Sequence, residues 1–410
     1  MMRPLEGMTV LDFTQAYSGP YCAMNLADNG ARIIKVERVD GGDQSRFWNP
    51  YAENGKSGYF AIYNRNKEGI ALDLGEPEGK EIVKKLFAEV DVVLENFKYG
   101  TMDKLGVGYE VAKEVNPEII FVSLSGFGQY GPLCKNTAYD NVIECMAGYM
   151  EMTGFPENPP LRSGASVGDS YTGLMTALAI TLAYYDKKHT GKGRKIDVAM
   201  LDTMFATIED AVLAYSLTGE PITRTGNAKP HEIVPYDTYH CAGGEVIAVG
   251  ISEESMWPDF CKAIDKPEWI DDPRFATNDL RCEHFKEFTE LMEEYVADKK
   301  AEDLVEKFQA HNIPASEIYA PLEAMDHPQI RARDMIISID DPNVGHFHGF
   351  GLPVKFSKTP GSVKKPSPLL GEDSYRILEH LGYPKEEIDR LVEEEIVGTP
   401  ETTEKYFEED

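Results

Sequence analysis

The 410-residue chain has only six cysteines, and none belongs to a C-x-x-C pair. Cys22, Cys134, Cys145, Cys241, Cys261 and Cys282 are scattered, which suggests neither a zinc site nor a disulfide framework and points to a reducing compartment. Long apolar runs are missing too. The longest mostly apolar stretch, 172–185, has 14 residues, short of the roughly 18 to 20 that a membrane-spanning helix needs. The opening residues lack the apolar core of a signal peptide, so the expected location is cytoplasmic. Basic residues are scarce: 41 lysines and arginines stand against 70 aspartates and glutamates, a net charge of −29. A field of that sign disfavours nucleic acid and anionic membrane as partners. Residues 386–410 hold 11 of the acidic groups against Arg390 and Lys405, about a third of the imbalance, and read as a solvated helix face and tail.

With 42% hydrophobic residues the chain is globular, and its length implies about two to three domain-sized units. Through the first 200 residues, short β-rich runs at 9–13, 32–37, 70–74, 92–97, 119–124 and 195–200 alternate with helical patterns, the signature of a parallel sheet in an α/β fold. Pro77 and the spacing of Ile82, Val83, Leu86 and Phe87 predict one helix, and Gly19-Pro20 opens another that ends near Asn29-Gly30. Residues 1–216 therefore form a first unit, and 217–235 a linker rich in Gly, Pro, Thr and Asn. A smaller α+β unit follows at 236–323, with a hairpin at 236–249 and helices at 257–264 and 285–296. Residues 324–410 begin irregularly, with a helical pattern at 374–397, and the pattern alone leaves their parent unit open.

Four motifs invite a chemical reading and lack its context. Gly126-Phe-Gly128-Gln-Tyr-Gly131 follows a strand, but Pro132 stands where a dinucleotide-binding helix should open. Gly55-Lys56-Ser57 lacks the first glycine of a P-loop. Gly164-Ala-Ser166-Val-Gly168 matches a nucleophile elbow, with His231, His240 and His311 downstream, yet a proline-rich loop replaces the strand it requires. His346 and His348 share a strand face with no third ligand at metal spacing, so no metal is expected.

Gly168-Asp169-Ser170 stands at the head of the 172–185 helix. An aspartate or serine there serves as an N-cap. A carboxylate at the positive helix end is also kept ionised and aimed, which suits a nucleophile that attacks an activated acyl group.

Several segments, taken in order, resemble the family III CoA transferases, the group with formyl-CoA, carnitine and bile-acid CoA transferases. They are Leu5-Glu-Gly-Met-Thr-Val-Leu-Asp-Phe13, Gly19-Pro20, Ala27-Asp-Asn-Gly-Ala-Arg-Ile-Ile-Lys-Val-Glu-Arg38, Asn66-Lys67, Val93-Leu-Glu-Asn-Phe97, Tyr139-Asp-Asn, Gly168-Asp169-Ser170-Tyr-Thr-Gly173 and Thr190-Gly-Lys-Gly193. The resemblance covers nearly the whole chain. It implies a Rossmann-like large domain formed by both chain ends, a smaller domain between, and two subunits linked like rings in an obligate homodimer. It also implies transfer of CoA from an acyl-CoA to a small carboxylic acid, with CoA as substrate and no tightly bound cofactor. Asp169 matches the catalytic aspartate, which forms an acyl anhydride and then an aspartyl-CoA thioester. Gln15, Ala16 and Tyr17 match the turn whose amides can stabilise an oxyanion. Arg38 and Lys104 match positions that hold the CoA phosphates, which requires a local positive site against the global field. Leu72, Asn96, Phe97 and Tyr139 match the surroundings of adenine and pantetheine.

Two departures bear on substrate. Only Gly243-Gly244 stands where formyl-CoA transferases carry a glycine run, and those enzymes have histidine in place of Gln15 and glutamine in place of Tyr17, so a larger acid than formate or oxalate is expected. The α-methylacyl-CoA racemases of the same fold carry histidine where this chain has Tyr139. Tyrosine cannot replace imidazole as a base near neutral pH, which favours transfer over racemisation. A non-catalytic acyl-CoA-binding protein is the remaining alternative.

Overall fold

Four- to six-residue runs such as Val-Val-Leu-Glu and Ile-Phe-Val-Ser-Leu-Ser are apolar on both faces, as strands covered by helices on both sides must be. The computed structural model, which describes residues 3–209 and 211–407, puts them at the centre of a seven-stranded sheet. In chain order the elements are β1 (Thr9–Asp12), α1 (Ser18–Asp28), β2 (Arg32–Glu37), α2 (Gly58–Tyr63), β3 (Lys67–Leu72), α3 (Pro77–Phe87) and β4 (Val92–Glu95). Then come α4 (Thr101–Lys104), α5 (Tyr109–Val115), β5 (Ile120–Ser125), α6 (Asp140–Met146), α7 (Val167–Thr190), β6 (Arg194–Ala199) and α8 (Met200–Phe205).

The chain divides into two units, Met1–Tyr149 with Ser163–Glu209 and Arg331–Asp410, and Met150–Arg162 with Asp210–Ile330. The second unit holds α9 (Ala211–Thr218), then β7 (Tyr236–His240) and β8 (Val246–Gly250), the predicted hairpin. It continues through α10 (Trp257–Ala263), α11 (Asn278–Glu283), α12 (Phe285–Val296), α13 (Ala301–Ala310), β9 (Ala315–Glu317) and α14 (Pro321–Asp326). β9 adds a third antiparallel strand to the hairpin, and Trp257, Phe260, Phe275 and Phe288 fill the core beneath it. The chain leaves through α15 (Pro328–Ala332).

Back in the first unit, residues expected to be irregular form an antiparallel hairpin, β10 (Ile336–Asp341) and β11 (Gly345–Phe350). The helical pattern at 374–397 is two helices, α16 (Ser374–His380) and α17 (Lys385–Glu393), broken where Gly382 takes φ +82° just before Pro384. β12 (Val397–Gly398) and α18 (Pro400–Thr403) follow.

The sheet order is β12-β3-β2-β1-β4-β5-β6, parallel throughout except for β12. Met8, Val10, Ile33 and Leu94 pack with Cys22, Leu26 and Ile180 of α1 and α7 on one side. Leu11, Ile34, Val93 and Phe121 pack with α3, α16 and α17 on the other. The strand order reverses between β1 and β4, and in open parallel sheets the crevice beyond the carboxyl ends of such strands is where ligands bind.

Candidate active site

β1 ends in Asp12, and the chain reaches α1 through Phe13, Thr14, Gln15, Ala16 and Tyr17. Ala16 takes φ +67°, a left-handed conformation that costs a residue with a Cβ about 1 kcal/mol. Buried charges hold it there. Asp43 Oδ1 accepts the Ala16 N–H at 3.1 Å, while Lys35 Nζ donates to Asp43 Oδ2 at 3.0 Å and to the Thr14 carbonyl at 2.7 Å. Asn96, just after β4, accepts the Gln15 N–H and donates to the Gln15 carbonyl, both at 2.8 Å. This amide pair bridges β1 and β4 at the point where the strand order reverses. The amides of Gln15 and Ala16 are thus already engaged, which corrects the expectation that they face an oxyanion. The Ser18 amide, two residues further along, acts on Asp169 instead.

α7 begins at Val167, and the capping oxygen comes from another helix. Asp140, the first residue of α6, accepts the Asp169 N–H at 3.1 Å and the Gly168 N–H as well. A Cβ on Gly168 would lie 2.8 Å from Asp140 Oδ1, so glycine is what admits the carboxylate. Glu144, fully buried one turn along α6, hydrogen-bonds to Asp140 and accepts the Ser163 amide at 2.9 Å. Burial, and next the neighbouring Glu144, push the Asp140 pKa up. The reading of Asp169 or Ser170 as the N-cap is therefore replaced by one in which Asp140 caps α7 and the Asp169 side chain is left for other use.

That side chain meets the start of α1. A Cβ on Gly173 would fall 2.6 Å from the Ser18 carbonyl, so the two helices approach as closely as backbone allows. Burial and then the Asp140 charge push Asp169 up to about 7, while the Ser18 hydroxyl and amide pull it the other way. Asp169 consequently switches between acid and carboxylate near neutrality, where its nucleophilicity is not lost to strong solvation.

Three phenols stand nearby. The Tyr17 and Tyr63 rings lie 4.6 Å apart with their hydroxyls hydrogen-bonded, and Tyr59 packs 4.9 Å from Tyr63. Burial raises the pKa of all three, and the Asp169 charge adds to the rise at Tyr59 and Tyr63. They stay neutral hydrogen-bond donors, suited to a carboxylate.

A cleft of about 840 Å³ opens at the carboxyl ends of β1 to β4, lined by Phe13, Gln15, Arg38, Leu72, Phe97 and Tyr406 among others. Gln15, Arg38, Leu72 and Phe97 of the expected CoA contacts line it, Asn96 bonds to Gln15, and Ala16 and Tyr17 are the next two residues of the turn. Lys104 is exposed beside the lining residue Leu105. Tyr139 is 64% exposed and does not line the cleft, whereas its neighbour Asp140 is buried. The lining of this cleft is mostly acidic where charged. Seven of the lining residues, Glu37, Asp40, Asp73, Glu76, Glu78, Glu394 and Glu395, are acidic, and the one basic lining residue, Arg38, pairs with Asp40 at 3.5 Å.

Described residues 126–139 form no helix and 150–166 no strand, Ser57 caps α2 by accepting the Phe60 N–H, and His346 pairs with Asp340. Among the described residues no group of three metal ligands occurs, and no helix is long and apolar enough to cross a membrane. Sequence reasoning missed Asp140, Asp43, Ser18, Tyr59 and Tyr63. Asp140 adjoins Tyr139 in a segment already singled out.

The raised pKa has a consequence for stability. Because the folded state holds the Asp169 proton more tightly than the unfolded state, ionising it weakens the fold progressively from the ordinary carboxylate value near 4 up to about 7. Asp169→Asn is expected to stabilise the protein by up to about 4 kcal/mol at pH 8 and to confer no gain from this source below about pH 4. Urea unfolding at both pH values measures it, and equal effects at both would contradict the assignment.

The comparisons with known proteins give the family and the fold. The model of CoA-transferase family III matches residues 5–374. Succinyl-CoA–D-citramalate CoA-transferase of Chloroflexus aurantiacus is 35% identical over 92% of this chain and 94% of its own. Mouse succinyl-CoA:glutarate CoA-transferase is 34% identical over 98% of this chain and 92% of its own. Formyl-CoA:oxalate CoA-transferase of Escherichia coli is 33% identical over 95% and 98%. The crystal structure of a CaiB/BaiF family protein from Brucella suis superposes with a TM-score of 0.82 at 34% identity, over 93% of this chain and all of that one. The chain belongs to CoA-transferase family III.

Proposed function

We propose that Asp169 carries CoA between two carboxylic acids through covalent intermediates, the donor being succinyl-CoA or a similar acyl-CoA and the acceptor a dicarboxylic acid. The observation that carries the reading is the Asp169 carboxylate, relieved of capping duty and with its pKa raised to about 7 beside the Ser18 hydroxyl and amide. An Asp169 oxygen attacks the thioester carbonyl, and the C–S bond breaks to give an aspartyl anhydride and CoA thiolate. The thiolate attacks the aspartyl carbonyl and expels the donor acid, leaving an aspartyl-CoA thioester. The acceptor carboxylate attacks that thioester and releases the thiolate, which takes the acceptor acyl group and frees Asp169. Each intermediate retains the thioester energy as long as water is excluded.

The neutral phenols of Tyr17, Tyr59 and Tyr63 suit the far carboxylate of a diacid, and relatives named for succinyl-CoA with citramalate, glutarate or mesaconate support that class. The pantetheine and nucleotide of CoA lie in the cleft along Leu72, Phe97 and Arg38, with Gln15, Ala16, Asn96 and Lys104 around it, and Tyr139, outside the lining, takes no part. Racemisation lacks its base: none of the nine histidines falls in the 12–18 turn, at 139–140 or in the first turn of α7.

The active form is a homodimer, which covers the apolar stripe Leu174, Leu178, Leu182 and Tyr185 left exposed along one face of α7. Incubation with succinyl-CoA followed by intact-mass measurement should give an adduct that maps to Asp169, and sustained turnover by Asp169→Ala would refute the mechanism. Sedimentation should give twice 45.8 kDa, and a monomer at micromolar concentration would refute the assembly. The acidic lining repels the CoA phosphates, so raising salt from about 20 to about 300 mM should lower KM for the acyl-CoA. A KM that climbs with salt would put the nucleotide elsewhere.

A further inference from the structure

Lys35 and Asp43 are fully buried, take no place in the proposed chemistry, and both grip the turn that leads from β1 to Ser18. A buried ion pair is weak evidence for stability, because desolvating both charges offsets much of their attraction. Its neighbours balance it: Asp12 pairs with Lys67 at 3.0 Å, and Glu37 with Arg46 at 2.8 Å, all four buried. The pair's particular property is where its remaining hydrogen bonds go. Asp43 Oδ1 takes the Ala16 N–H along with the Ser45 amide and hydroxyl, and Lys35 takes the Thr14 carbonyl, so the peptides on either side of Gln15 are fixed from one point. Ala16 is the strained residue of that turn, at φ +67°, and Tyr17 and Ser18 follow it directly.

We infer that Asp43 is a positioning residue: clamped by Lys35, it holds Ala16 in the left-handed conformation and so aims Ser18, two residues on, at Asp169. The inference rests on Asp169 as the nucleophile. A residue with a Cβ leaves this conformation once the bond to Asp43 weakens, whereas glycine adopts it without steric cost.

The test is the single-turnover rate of adduct formation on Asp169 with succinyl-CoA, alongside the acyl-CoA KM. Asp43→Asn, which is isosteric, weakens the acceptor and releases Lys35. It is expected to slow adduct formation at least fivefold with KM changed less than twofold, and Ala16→Gly added to it is expected to return more than half of the lost rate. A buried pair serving only the fold would lower the melting temperature without a loss that glycine at position 16 repairs. If Asp43→Asn does not fold, the paired replacement Lys35→Met with Asp43→Leu, which leaves no unpaired charge, carries the same two expectations. An unchanged rate overturns the inference, as does a loss that glycine at 16 does not repair. A wild-type protein that forms no adduct overturns the nucleophile and this role together, whereas an adduct formed equally fast by the variant overturns the positioning role alone.

Discussion

A carboxylate borrowed from a neighbouring helix decides what α7 can do. Asp140 takes the amides at the start of α7, and Gly168 is what lets it come near enough. A helix beginning with Gly-Asp-Ser would otherwise satisfy its first amides with its own side chains, as such residues ordinarily do. With that need met from outside, the Asp169 carboxylate is held in a partly buried place beside a second acid, where its charge is costly and its pKa rises. The closeness of α1 and α7 at Gly173, the buried Glu144 behind Asp140 and the neutral tyrosines in front all act on this one group.

The parts of the molecule legible in the sequence were those set by neighbours along the chain. Runs such as Val92 to Glu95 announce buried parallel strands because every position is apolar or nearly so, and α3 announces itself by Pro77 and its spacing. β12 is only two residues long and owes its existence to pairing with β3, so no local pattern could have revealed it. The hairpin of β10 and β11 lay between prolines that read as loop. The helix start at Asp169 was legible from the Gly-Asp-Ser pattern before an apolar run. Asp140 and Asp43 were not, since they act on amides 29 and 27 residues away, and only the folded chain brings a carboxylate that far to a chosen N–H.

The charge of the cleft runs against a simple picture of nucleotide binding. Arg38 is the one basic lining residue, and it already has Asp40 as a partner. The apolar part of the lining, Leu72 and Phe97 among it, offers contact that does not depend on charge. The acidic run that looked like a detached solubility feature in the sequence is part of this wall, through Glu394 and Glu395.

β12 closes the outer edge of the sheet from near the end of the chain, and the Ser374 hydroxyl and Thr403 lock it by bonding to Gly398 and Leu370. During synthesis, therefore, β3 presents an unpaired edge from the time residue 72 leaves the ribosome until residue 398 follows it, more than 300 residues later. The first unit cannot finish folding in the order in which it is made. Only β3 waits in this way, one edge unpaired while the whole second unit is translated, because β1, β2, β4 and β5 have both of their sheet neighbours once residue 199 is made.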